Sequence, residues 1–138
     1  MNILVIDGMG GGMGKSIIEH IKGELNDVEI TAVGTNSMAT SSMLKAGAGI
    51  VATGENAIVC NAKKADVIIG AIGIFAANSM HGEISPNMAN AVCESDALKI
   101  LIPVSGCDIA IVGVAEKPMS QYIAEIAGKI KDFFPSSN

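Results

Sequence analysis

The sequence predicts an α/β domain: a Rossmann-like, doubly wound and mostly parallel sheet, with a C-terminal antiparallel hairpin edge strand and a C-terminal helix. Three observations predict it. Strand-type and helix-type apolar patterns alternate along almost the whole chain, as parallel strands with crossover helices require. Strand segments such as "ILVI" and "VIIGAIG" are unbroken apolar runs rather than in–out alternations, as in a sheet covered on both faces. Five glycines fall between residues 8 and 14, in "DGMGGGMGKS", where the first strand turns into the first helix. That turn is where such sheets take ligands.

The elements follow in order. Ile3 to Ile6 is a buried strand. Ile17, Ile18, Ile21 and Leu25 recur at helical spacing, so a helix starts near Gly14. Val28 to Val33 is a second strand. "NSMATSSMLKAGA" is a helix capped by Asn36 or Ser37 and closed by Gly47. "GIVA" is a short strand, and "TGENAIVCNAKKA" a helix with Ile58, Ala62 and Ala65 on one face. "DVIIGAIG" is another buried strand, and Ile74 to Met80 a short helix ended by Gly82. Ser85 and Pro86 form a helix start, as N-cap and first helical residue. "KILIPV" and "IAIVGV" are two strands only four residues apart, which predicts a hairpin, because a crossover needs a dozen residues or more. Pro103 suits a strand end or edge. A last helix runs from Pro118 to Phe134 with Ile123, Ile126, Ile130, Phe133 and Phe134 on its apolar side. One domain over residues 1–134 and a frayed tail over 135–138 complete the organisation.

Composition bounds the function. Hydrophobic residues make up 49% of 138, and mean hydropathy is +0.46. That excess predicts apolar surface left for a homo-oligomer, with a dimer favoured. No apolar run reaches the ~18–20 residues of a membrane span, and "MNILVIDG" has no signal-peptide character. A net charge of −5 without a Lys/Arg cluster excludes a nucleic-acid footprint. Cys60, Cys93 and Cys107 are odd in number and widely spaced, which suits reduced thiols in a cytoplasmic protein. His20 and His81 fall in different elements, so no metal site is expected.

The glycines fit dinucleotide chemistry better than a P-loop. "GKS" is present at residues 14–16, but the P-loop's first glycine would fall on Met9. G-x-G-x-x-G matches at Gly8 and Gly10 and then meets Met13. G-x-x-x-G-x-G matches in full at Gly8, Gly12 and Gly14, a turn that resembles that of the short-chain dehydrogenases. The expected cofactor-binding stretch is therefore Gly8, Met9, Gly10, Gly11, Gly12, Met13, Gly14 and Lys15, with a diphosphate against backbone N–H groups at a helix start. Lys15 stands against the helix dipole there, which points to an anion partner or to plain solvation. No acid follows the second strand; Thr35, Asn36 and Ser37 do, which favours NADP over NAD unless they only cap a helix. Gly70, Ala71, Ile72 and Gly73 are expected to line the opposite side.

Catalytic candidates are few. The short-chain dehydrogenase Tyr-x-x-x-Lys pair is missing, since Glu125 stands four after the single tyrosine, Tyr122. His81 with Glu83, and Glu55 in "TGEN", are the acid/base candidates, each with solvation or helix-end charge as its plainer role. Cys107 beside Asp108 is expected to be structural.

Five blocks together, "VIDGMGGGMGKSIIE", "AVGTNSMATSSMLKAGA", "ATGENAIVCNAKKADVIIGAIGI", "ANSMHGEISPNMA" and "KILIPVSGCDIAIVGV", resemble a bacterial family of small proteins, domain of unknown function 3842. The resemblance implies a Rossmann-like fold and a bacterial cytoplasmic setting, and it implies no activity. The family carries Gly-Pro-Ile-Gly where this chain has Gly70-Ala71-Ile72-Gly73, and Asn-Arg-Cys where it has Ser105-Gly106-Cys107. The expected function is nucleotide binding, NAD(P) first. The alternatives are an oligomeric sensor or structural subunit without catalysis, or an enzyme acting on a phosphorylated metabolite.

Overall fold

The computed structural model describes residues 1–104 and 109–135. Its elements are β1 (Asn2–Asp7), α1 (Gly12–Glu24), β2 (Glu29–Gly34), α2 (Ser37–Lys45), β3 (Ile50–Thr53), α3 (Glu55–Ala62), β4 (Val67–Ala71), a 3₁₀ turn (Ile72–Phe75), α4 (Pro86–Glu94), β5 (Leu98–Ile102), α5 (Met119–Ala124) and α6 (Ile126–Phe133). The five strands lie in the order β3-β2-β1-β4-β5, and every pair is parallel.

The period-2 geometry of β1 sorts its side chains into two cores. Ile3 and Val5 join Ile17, Ile18 and Ile21 of α1, Met43 of α2 and Ile123, Ile126 and Ile130 of the C-terminal helices. Leu4 and Ile6 face the other way, onto Ile58 and Ala62 of α3 and Met88 and Val92 of α4. Both sheet faces are thus covered, as the unbroken apolar runs require. The chain leaves β1 toward one face and β4 toward the other, so the switch point, where such folds form a ligand crevice, falls between their carboxyl ends.

Local chemistry sets the helix starts. The Asn36 side chain accepts the Ala39 N–H and caps α2 at 2.9 Å. Ser85 accepts the Met88 N–H and Pro86 occupies the first position of α4. The expected helix over Ile74–Met80 is instead the 3₁₀ turn Ile72–Phe75 followed by irregular turns.

The antiparallel hairpin is not formed. Residues 109–114 make no strand, and β5 is an edge paired only to β4 among the described residues. The physical cause lies at Gly113, whose φ of 90° takes the chain out of the extended region. There the Val114 N–H donates to the Ile111 carbonyl across a tight turn, with Val112 fully exposed at its tip. High β-propensity does not make a strand where the chain reverses. The link from β5, residues 105–108 with Cys107, lies outside the described residues.

The C-terminal helix is divided at Glu125 into α5 and α6. His20 Nε2 of α1 accepts the Ala127 N–H at 3.3 Å, so it serves the start of α6. Ile123, Ile126 and Ile130 are buried, whereas Phe133 is exposed and packs edge-on against Phe134. No helix is long and apolar enough to cross a membrane among the described residues.

Ile69 is fully buried at the centre of the larger core. Ile69→Ala should lower unfolding free energy by about 2–5 kcal/mol in urea denaturation, and a loss under about 0.5 kcal/mol, the size of a surface change, would contradict this packing.

Candidate functional site

The site begins with Asp7, the last residue of β1, which sequence reasoning passed over. It is buried, and its two carboxylate oxygens accept the Gly8 N–H at 2.8 Å and the Gly14 N–H at 2.6 Å. The glycine loop is thereby fastened to its own strand at both ends. Burial pushes the Asp7 carboxyl above its ordinary value, the two N–H bonds pull it back, and the charge of Glu83 adds to the rise. An acid directly before a glycine run, at the end of an apolar strand, was the signal available.

The five glycines divide into two kinds. A Cβ on Gly8 would meet the Glu83 carboxylate, the Thr35 hydroxyl and the Met80 sulfur, all under 3.0 Å. Gly11 has a φ of +77° and lies against the Ala39 backbone of α2. A Cβ on Gly14 would strike Met43 at 2.5 Å. These three are packing glycines. Gly10 and Gly12 have nothing within 4 Å of a Cβ. α1 starts at Gly12; its N-cap Gly11 has no side chain to cap it and its first turn holds no acid, so the capping acceptor is Asp7 from β1, which takes the Gly14 N–H. Lys15 is exposed beside it, and Met13 half-buried against the larger core.

Glu83 is placed far from the role its sequence position suggests. Its Oε1 accepts the Thr35 hydroxyl at 2.6 Å and the Met9 N–H at 2.9 Å, and its Oε2 accepts the Asn36 amide at 3.2 Å. Asn36 also donates to the Met9 carbonyl at 3.0 Å. A carboxylate thus stands at the end of β2 and touches the glycine loop, although the local sequence there holds none. The hydrogen bond from Thr35, then that from Met9, hold the Glu83 carboxyl below its ordinary value against the opposing effect of desolvation; Asn36 and the charge of His81 add to the lowering.

The loop that delivers Glu83 is strained. Asn78, Met80 and His81 have φ of 66°, 55° and 56°, followed by Gly82 at 89°. A non-glycine residue in this region costs about 1–2 kcal/mol. Buried Ser79 repays part of this by donating to the Gly73 carbonyl, and the Asn78 N–H donates to the Ile84 carbonyl at 2.7 Å.

The other candidates scatter. His81 is exposed and near enough to act on Glu83 by charge. Glu55, at the first turn of α3, accepts from Ser85 and from Asn87 and stands apart from the glycine loop's partners. Ser37 is exposed on α2. Gly70, Ala71 and Gly73 are buried and Ile72 half-buried; Ile74 packs against Gly70 and Ser79 against Gly73. Cys60 and Cys93 are exposed free thiols. No group of three potential metal ligands occurs among the described residues. Grooves of about 460 Å³ beside β5 and α5 and about 610 Å³ between α3 and α4 lie away from the loop. The first presents mainly aliphatic side chains and the second scattered charges.

Comparison with known proteins fits this architecture. A family model described as "Domain of unknown function (DUF3842)" matches residues 2–135. No curated protein matches the chain. Among solved structures, a dodecameric FMN-dependent UbiX-like decarboxylase from Escherichia coli O157:H7 is similar, with 13% identity, 99% of this chain and 96% of that chain covered, and a TM-score of 0.53. At that identity the likeness is one of fold.

Two predictions follow from the geometry. Gly14→Ala should destabilise the protein by about 1–3 kcal/mol through overpacking against Met43, while Gly12→Ala stays within about 0.5 kcal/mol, as at an unconstrained surface position. Equal effects in parallel thermal melts would refute the division of the glycines. The second concerns pH. Glu83 has a lowered folded-state pKa, so its contribution is present above its ordinary 4.5 and lost as pH falls through the folded value. Asp7 has the opposite sign: its contribution is present below 3.8 and lost as pH rises through its raised value. Acidification from above 4.5 down through the lowered folded-state value of Glu83 should therefore release the Met9 amide to hydrogen exchange, and unchanged protection of that amide across the acid range would count against the Glu83 anchor.

Proposed function

The chain belongs to the DUF3842 family, and from that premise we propose that it is a nucleotide-binding subunit, with NAD or NADP as the first candidate ligands. One observation carries the reading. Gly10 and Gly12 face open space at the start of α1, where the N-cap Gly11 has no side chain and Asp7 takes only the Gly14 N–H of the helix, so the chain's own packing does not explain their lack of side chains. A phosphate group there would meet backbone N–H donors and the positive end of the helix. The crevice lies at the carboxyl ends of the two central strands, where doubly wound sheets hold ligands. Lys15 adds a cation at the rim.

The similar E. coli enzyme is FMN-dependent by its description, which makes FMN the second ligand to test. It is also dodecameric by that description. Ile109, Ile111, Val112 and Val114 are exposed, which supports a homo-oligomer of this chain, whether a dimer or larger. A bacterial cytoplasmic setting belongs to the same proposal. Among the catalytic candidates, Glu83 is committed to three hydrogen bonds and Glu55 to two. That arrangement favours a sensor or assembly subunit that reads a nucleotide over an enzyme acting on a phosphorylated metabolite by itself.

A thermal-shift screen with NAD, NADP, FMN and ATP tests the reading. A ligand at 100 times its dissociation constant adds about 2.7 kcal/mol of stability, and Gly12→Asp should abolish the shift while the protein stays folded. No shift with any nucleotide would sink the proposal.

A further inference from the structure

We propose that Glu83 reads a free ribose diol, which selects NAD over NADP. The inference rests on the nucleotide-binding reading above and names the ligand class of that same crevice. In dinucleotide folds an acid at the end of the second strand accepts the ribose hydroxyls, and a cation there accommodates a 2′-phosphate instead. The chain after β2, Thr35 to Ser37, has neither. The fold supplies the acid from elsewhere: Glu83 is 48 residues beyond Thr35 in sequence and within 2.6 Å of its hydroxyl.

The donors at the end of β2 are consequently spent. Thr35 and Asn36 point their hydrogens at Glu83 rather than into solvent. Oε1 already takes two donors and Oε2 takes one, so Oε2 has capacity for one more. A ribose hydroxyl is such a donor. A 2′-phosphate offers only acceptors and brings like charge against a carboxylate kept ionised by its partners. Among the described residues no cation forms an ion pair with Glu83, and the ion pair found there is Lys117–Glu125. The placement is also built at a cost. Three non-glycine residues adopt left-handed backbone in the loop just before Glu83, and strain of that kind persists where a side chain must be delivered to a set position.

The test compares NAD and NADP by isothermal titration on the wild-type protein and on Glu83→Gln, with circular dichroism of both. Wild type should bind NAD at least about tenfold more tightly than NADP, one step of 1.4 kcal/mol. Glu83→Gln keeps the shape and removes the charge, so it should close most of that gap. A merely structural role for Glu83 would weaken both ligands alike and leave the ratio unchanged, which would overturn the inference. Wild-type protein that binds NADP as tightly as NAD overturns it too, and needs no folded variant. Binding of FMN alone would overturn this inference and leave the nucleotide-binding reading standing. Binding of no nucleotide would remove both.

Discussion

The loop at the centre of this fold depends on one buried carboxylate. Asp7 ends the central strand and accepts N–H groups from both ends of the glycine stretch. Without an acceptor at that point, the Gly8 and Gly14 amides would be buried donors without partners, each costing about 1–3 kcal/mol. With it, a segment of almost no side-chain content is held in one shape. α1 then starts in a fixed direction, close enough to α2 for Met43 to fill the space beside Gly14. The cost is a carboxylate out of water, which appears as its raised pKa. The loop is thus kept rigid from beneath, and its upper surface stays free.

Much of the architecture was legible in the amino-acid pattern. Apolar runs at Ile3–Ile6 and Val67–Ile69 reported strands buried on both faces, and Asn36 and Ser85 reported helix starts, because these signals act over a few residues. The hairpin was illegible for the converse reason. "IAIVGV" carries strand propensity, yet Gly113 turns the chain within it. Phe133 kept the helical spacing of the buried isoleucines and still came out exposed, while its neighbour Phe134 packs against the core. Periodicity gives the side of a helix and does not say where the core ends.

The turn from β1 into α1 was legible in place and illegible in wiring. The glycine stretch marked the turn correctly. Which glycine serves packing and which faces solvent depends on α2 and on the loop after β4, both distant in sequence. Glu83 shows the same limit: next to His81 it resembles half of an acid/base pair, and the fold turns it toward Thr35, Asn36 and Met9 instead. Asp7, one residue past the apolar run, drew no reading from the sequence and proved to be the fastening of the loop. Sequence spacing identified the residue types, and tertiary contact assigned their work.

The crowding around Gly8 has a consequence for how this protein varies over generations. Gly8, Thr35, Met80 and Glu83 come from three separate segments and share one small volume. A side chain added at residue 8 is tolerated only if residues 35, 80 and 83 all give way, and a withdrawn Glu83 leaves Thr35 without its acceptor. Single changes at these positions therefore carry a penalty that a second change relieves. The four positions form one inheritable unit, in which the order of substitutions decides which paths are open.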